Sequence, residues 1–314
     1  MSFEGDAHLP FVTRHLDSWG VPWLLIPTRD FGEAASVSLR PGRSPDVRLR
    51  VEGRSVDVSD LRVIWNRRLL RAVLPNLLED PSVYQYAQEQ WWAAVNSAIR
   101  AASARWINDP AALDAARDKP DQISVAAKLG LTVPPTLVSS DALEVQEFAA
   151  SLSMDLVTKV VSPGSPIVAP GIDQYMVFTQ PVDLDAVDPR SLEVAPAIYQ
   201  PRINKVLDVR ISIVGDDLYA CAIRSQDRES TKLDWRRDVA GLVHEAIDVP
   251  ARIVDQLRSL CRHYGLVYGM ADMVVDENGE WVFLELNPNG QWAWVEERTG
   301  LPIGESLARV LVDA

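Results

Sequence analysis

Cysteine is nearly absent from this 314-residue sequence. Cys221 falls in a strand-like run, and Cys261 follows Ile253, Leu257 and Leu260 at helical spacing. Both read as small core residues, which excludes a disulfide framework and a thiolate metal site. Lysine is scarce as well: Lys119, Lys128, Lys159, Lys205 and Lys232 stand against 26 arginines. The histidines (His8, His15, His244 and His263) show no metal-ligand spacing, and no Ser–His–Asp or Cys–His constellation is recognisable. No apolar run approaches the ~20 residues needed to cross a bilayer, and the first residues lack the basic and apolar parts of a signal peptide. A cytoplasmic protein with no membrane partner is expected. Positive charge is in deficit too. A net charge of −13 argues against a nucleic-acid groove, although a local cluster of cations can still bind a small anion.

What the sequence does contain is an ordinary globular composition, 47% hydrophobic and 24% charged, long enough for two or three packed units. Residues 1–108 read as a small α/β unit. Phe11, Val12 and Leu16 predict an early helix, and Val21–Ile26 and Leu61–Trp65 predict strands. From Pro81 to Ser103 the spacing of Tyr84, Ala87, Trp91 and Val95 predicts a long helix, with the tryptophans packing against a neighbouring domain or subunit. Asn108-Asp109-Pro110 marks a loop and a helix start, because proline suits the first helical position. Beyond it, residues 109–314 form a denser α/β region, divided near 195 into a central and a C-terminal part.

The most informative segment is GMADMVVDENGEWVFLELNPNG. Asn278-Gly279 between alternating apolar runs predicts a two-residue hairpin turn, since both residues tolerate positive φ. Pairing outward from that turn sets Glu277 against Glu280, Val274 against Phe283, and Asp272 against Glu285. Side chains alternate, so Glu285, Asn287 and Asp272 share one face. Two facing carboxylates repel unless they are solvated, protonated or bridged by a cation. With Asn287 they make three hard oxygen donors, the set that Mg²⁺ prefers. A solvent-facing acidic surface is the bland alternative, and a one-residue bulge would break this register.

The same residues resemble a known family. FLELNPNGQWAWVEERTGLPI, preceded by YGMADMVV, is similar to the C-terminal metal motif of ATP-grasp ligases. More narrowly, it resembles the microviridin-type (graspetide) ligases that macrocyclise ribosomally made peptides. Ile64-Trp65-Asn66-Arg67-Arg68 resembles that family's VWYRR element, with Asn in place of Tyr. Ser225-Gln226 with Asp234-Trp235-Arg236 resembles its SQ…DWR segment. The resemblance implies an α/β (α+β) ATP-grasp fold behind an N-terminal α/β pre-ATP-grasp domain, with ATP and Mg²⁺ as cofactors. It assigns Lys119 and Lys159 to the ATP phosphates and the strand around Gln200, Pro201 and Arg202 to adenine. Pro201 removes one N–H, so contact with the base would fall to the Gln200 carbonyl and the Arg202 N–H. Asp208 falls where related enzymes hold the ribose. Arg210, Arg224 and Arg236 are candidates for clamping the transferring phosphoryl group, or else surface arginines paired with acids. An odd loop around Gly215–Asp217 would put Arg224 on the face of Arg210; an even one would not. After Lys159 the expected glycine-rich lid is replaced by the short, proline-rich SPGSPIVAPG with Gly164 and Gly171.

The implied reaction is phosphorylation of an Asp or Glu side chain of a precursor peptide, followed by attack of a hydroxyl or amine to close an ester or amide ring. The family also implies leader recognition and a homodimer. Two rivals share the motifs: an amino-acid ligase of the glutamate-adding type, and an ATP-binding scaffold without turnover.

Overall fold

The computed structural model describes residues 1–313 except 33–34, 44–45, 52, 69, 75–79, 153, 163–166, 170–171 and 176–177; for 30, 167–169 and 172–175 it describes the backbone alone. Two compact units emerge. The first comprises residues 1–111 with 266–268 and 302–314, and the second comprises 112–265 and 269–301.

In the first unit, helix α1 (Leu9–Ser18) precedes an antiparallel sheet β1 (Ala35–Arg40), β2 (Asp46–Val51) and β3 (Arg54–Asp57). Strand β4 (Val63–Trp65) pairs in parallel with β5 (Arg105–Ile107), and α2 (Pro81–Arg100) links them. Asp80 caps α2 by accepting from Ser82 N–H, with Pro81 opening the helix. Val95, Ala98 and Ile99 of α2 share a core with Val47, Leu49 and Val51 of β2. Trp91 joins that core and lies 5.9 Å from Phe31 between ring centroids, so it packs within its own unit rather than on a neighbour. The strand expected at Val21–Ile26 is absent. Pro22 and Pro27 bound that segment, and its burial does not alternate.

In the second unit, α3 (Pro110–Ala115) leads into α4 (Lys119–Lys128). A mixed region follows: β6 (Leu137–Ser139), α5 (Ala142–Leu152), β7 (Leu156–Lys159), β8 (Ile167–Ala169), β9 (Ile172–Tyr175), β10 (Gln180–Val182), α6 (Pro189–Glu193) and β11 (Ala197–Pro201). Its main sheet has the order β10-β7-β11-β6. The larger sheet has the order β14-β13-β12-β15-β16, from β12 (Lys205–Val214), β13 (Asp217–Ile223), β14 (His244–Ile247), β15 (Tyr268–Asp276) and β16 (Trp281–Asn287). Helix α7 (Ala251–Tyr264) buries Ile253, Leu257, Leu260, Cys261 and Tyr264 along one stripe and stops at Gly265, where φ is 69°. Helix α8 (Ala293–Thr299) follows β16.

The last helix, α9 (Ile303–Val312), returns to the first unit and packs on α1, rather than remaining with residues 109–301. Gly304 permits that approach, because an added Cβ would collide with the Phe11 carbonyl. No helix among the described residues is long and apolar enough to cross a membrane.

Candidate active site

The β15–β16 hairpin brings Asp272 opposite Glu285, but by a different route from the one expected. The turn holds three residues, Glu277–Gly279, not two. Asp276 N–H donates to the Glu280 carbonyl at 3.0 Å, and Gly279 takes φ 80°. The Asp276 carboxylate fixes this loop by accepting from the N–H groups of Asn278 and Glu280, both at 2.8 Å. The inner pairs are therefore Val275 with Trp281, Val274 with Val282 and Met273 with Phe283, each shifted by one from expectation. A β-bulge between Asp272 and Met273 leaves Leu284 as the extra residue and restores the register, so Asp272 meets Glu285 and Met270 meets Asn287. At the bulge, Phe283 N–H turns to the Thr132 carbonyl at 2.8 Å. The bulge repairs the alignment rather than breaking it.

Each carboxylate has its own cation. Arg210 Nη1 donates to both Asp272 oxygens, at 2.8 and 2.6 Å, and Arg210 Nη2 donates to the Gln291 carbonyl at 3.1 Å. Lys119 Nζ lies 3.2 Å from Glu285 and donates to the Val160 carbonyl at 3.4 Å. Burial pushes the Asp272 carboxyl up; Arg210 opposes the rise and the Glu285 charge adds to it. Burial would raise Glu285 too, but Lys119, Lys159 and Arg236 outweigh it and hold that carboxyl below its usual range. Lys159, at the end of β7, is lowered to about 8 by desolvation of its ammonium; Glu285 opposes this, while Lys119, Lys205 and Arg236 reinforce it. Asn287 is exposed, and its Oδ1 accepts from Asn289 N–H at 3.3 Å. Two carboxylates and an amide oxygen thus share one strand face, ringed by four basic side chains. No group of three or more His, Cys, Asp and Glu gathers among the described residues, so a divalent ion here would draw on Asn287, water or phosphate for its remaining ligands.

Two fixing devices escaped sequence reasoning. Gln122, buried in α4, behaves like an extra strand residue: Nε2 donates to Leu286 O at 2.7 Å and Oε1 accepts from Leu286 N–H at 2.7 Å. That clamp holds the start of α4, where the Asp118 carboxylate caps the helix by accepting from Asp121 N–H, beside Glu285. Only its place beneath a scarce lysine marked it. Gly290 is the second. A Cβ there would lie 2.5 Å from Met270 Cγ and 2.8 Å from Arg210 Nη2, so glycine is required for Arg210 to reach Asp272.

Arg236 sits in the 3₁₀-rich segment after β13. It grips Asp234 in a fork (2.8 and 2.6 Å) and lies 5.8 Å from the Phe178 ring centroid. Asp234, 4% exposed, also accepts from Thr179 N–H at 3.2 Å.

Three other expectations change. The β12–β13 loop has two residues, Val214 pairing with Asp217 and Arg210 with Cys221, so Arg224 has the wrong parity. It lies at the surface, 2.9 Å from Glu245, and does not join the cluster. Around the expected adenine strand, Arg202 N–H donates to the Asp155 carbonyl at 2.7 Å and is therefore committed. Alternation turns the Gln200 backbone the same way, toward β7, while Pro201 falls between bonded pairs. The Gln200 side chain donates to Thr136 Oγ1 at 2.9 Å. Asp208 is 5% exposed and already engaged by Lys205 at 2.8 Å and Ser225 Oγ at 2.5 Å, which leaves little for a ribose. The lid glycines, Gly164 and Gly171, lie outside the described residues.

In the first unit, Arg67 of the Ile64–Arg68 element is buried with Asp6 (3.6 Å) and His8 (3.0 Å), while Ser2 Oγ donates to Asp6 at 2.5 Å.

The fold is that of ATP-grasp ligase structures. Within that class, the chain resembles macrocyclase MdnC from Microcystis aeruginosa MRC, solved with precursor peptide MdnA: TM-score 0.88 and 29% identity, covering 99% of this chain and 98% of that one. A Chryseobacterium gregarium RiPP-associated ATP-grasp ligase, solved with ADP and a leader and core peptide, superposes with TM-score 0.91 at 25% identity over 99% of this chain and 95% of that one. Macrocyclase MdnB from Microcystis aeruginosa MRC shares the fold at TM-score 0.82 and 24% identity, covering 100% and 98%. No protein-family model and no curated protein matches the sequence.

Proposed function

We propose that this chain is an ATP- and Mg²⁺-dependent ligase that activates Asp or Glu side chains of a ribosomally made precursor peptide and closes side-chain ester or amide rings. The observation that carries this is the Asp272–Glu285 pair, face to face in one register and overlooked by Lys119, Lys159, Arg210 and Arg236. Asp272, Glu285 and Asn287 would hold Mg²⁺, which supplies neutralisation of phosphate charge when bound. Lys119 and Lys159 are suited to grip phosphates as point charges, and Arg210 and Arg236 to stabilise the transferring group with planar forks. Beyond the end of β6, the Pro201 carbonyl would be the group to meet adenine, and the missing N–H falls where no ladder bond needs it.

A peptide carboxylate oxygen then attacks the γ-phosphorus, ADP leaves, and a peptide hydroxyl or amine attacks the acyl carbon with loss of phosphate. Positioning and charge do the work, and no enzyme nucleophile is needed. Burial suits both cysteines to packing, raising Cys221 to about 11 and Cys261 to about 12. The peptide complexes of MdnC and the Chryseobacterium ligase, the latter with ADP, support the substrate class. For the domain roles, residues 1–108 with α9 would form the pre-ATP-grasp part and 109–301 the ATP-grasp part, in a cytoplasmic homodimer.

Incubation with ATP, Mg²⁺ and an acidic, hydroxyl-rich peptide encoded beside the gene tests this by mass spectrometry. Loss of one water and formation of one ADP per ring is expected. Mass gain from an added amino acid would point to the ligase rival, and nucleotide binding without ADP to the scaffold.

A further inference from the structure

Asp208 and Lys205 stand at the start of β12, two and five residues before Arg210, and both are almost fully buried, with side-chain exposures of 6% and 10%. Their hydrogen bonds lead away from β12 into the 225–237 segment. Ser225 Oγ donates to Asp208 at 2.5 Å, and Lys205 Nζ donates to the Leu233 carbonyl at 3.3 Å, next to Asp234. Within the segment, Gln226 Nε2 donates to Ser225 Oγ (3.0 Å) and the Lys232 carbonyl (3.1 Å), and Thr231 Oγ1 donates to the Ser225 carbonyl at 2.7 Å. Ser225 and Thr231 are fully buried. Every one of these bonds fixes the stretch that ends in the Asp234–Arg236 fork.

Plain solvent-facing 3₁₀ turns need no such anchor. A buried ion pair contributes little net stability against an apolar replacement, so its use here is geometric. It joins the strand that carries Arg210 to the loop that carries Arg236, setting both guanidiniums from one rigid point. We propose that Asp208, with Lys205 and Ser225, is a positioning device for Arg236, rather than a ribose ligand. This rests on the role proposed above for Arg236 in phosphoryl transfer.

The test uses Asp208→Asn and the milder Ser225→Ala, both of which keep the Lys205 charge, in the full chain. Amide hydrogen exchange is read first, because it needs no turnover. Both variants should exchange faster in residues 225–237 by about tenfold or more, with the β12–β13 pairs unchanged. Unchanged exchange in that segment in both variants would overturn the proposal, even if the chain proved inactive as a ligase. Kinetics with ATP, Mg²⁺ and peptide come second. In the Arg236 background kcat should fall by about a hundredfold for Asp208→Asn and less for Ser225→Ala, with KM for ATP held within about twofold. In an Arg236→Ala background the same substitutions should change kcat by less than about twofold, because their effect passes through Arg236. Losses that multiply, or a KM for ATP that rises while kcat holds, would restore Asp208 as a nucleotide contact and end the positioning account.

Discussion

Two clusters in this chain use the same materials, acid against arginine, to opposite ends. In the first unit Asp6 is sealed at 5% exposure and satisfied by Ser2, His8 and Arg67. His8 Nδ1 lies 2.8 Å from it, and burial lowers the imidazole's pKa despite that contact. Although burial would raise the Asp6 carboxyl, its partners depress it strongly. In the second unit Asp272 and Glu285 are only partly covered, with side chains 17% and 27% exposed. They are pushed in opposite directions, and basic groups outnumber them. A closed cluster with one satisfied acid holds a fold together. An open one, with two facing acids and surplus positive charge, is poised to receive a charged ligand.

Breaking the open cluster should have the largest effect on chemistry. Glu285→Gln should lower ADP formation by about a thousandfold or more while the melting temperature changes little, as seen by a coupled ADP assay and calorimetry. Breaking the closed one should do the reverse. Arg67→Ala removes the cationic partner of a buried carboxylate and should cost about 3–5 kcal/mol in denaturant unfolding, with turnover per folded molecule preserved. Gly290→Ala sharpens the comparison, because it displaces Arg210 without touching a charge; a fall of about 10- to 100-fold in kcat is expected.

The pH profile separates the clusters again. Lys159, lowered to about 8, is charged below that pH and neutral above it, so ATP affinity of the free protein should fall as pH rises through about 8. Lys159→Arg should move that fall upward, in nucleotide titrations at fixed ionic strength. The stability effect has the opposite sense. A folded-state value below the unfolded 10.5 penalises folding below about 8 and relaxes as pH rises from there toward 10.5. The smallest effect is expected at Arg224, whose exposed pair with Glu245 is worth no more than about 0.5 kcal/mol; Arg224→Ala should keep near-normal kcat.

Much of this site was legible because a hairpin has few choices. Period-two alternation and the Asn278-Gly279 signal place Asp272, Glu285 and Asn287 on one face. They do so with a turn one residue too short, and a bulge that alternation cannot show makes up the difference. The long helix at 81–100 was equally readable from its apolar spacing, and the one at 251–264 from the spacing of Ile253, Leu257, Leu260 and Cys261. What sequence could not reveal was commitment. Arg202 N–H, the Asp208 carboxylate and Arg224 all look available as residue types, yet each is spent on a partner distant in sequence: Asp155, Ser225 and Glu245. Nor could spacing predict that Gln122 would tie α4 to β16, since that contact spans 164 residues.

The central claim is that the Asp272–Glu285 pair holds the metal that ATP needs. Titration of the intact protein with Mn²⁺ and a non-hydrolysable ATP analogue, followed by the paramagnetic signal, tests it most directly. The wild type should take up ion with nucleotide, while Asp272→Asn with Glu285→Gln should bind nucleotide but lose at least about tenfold in ion affinity. Equal ion binding in both proteins would contradict the account.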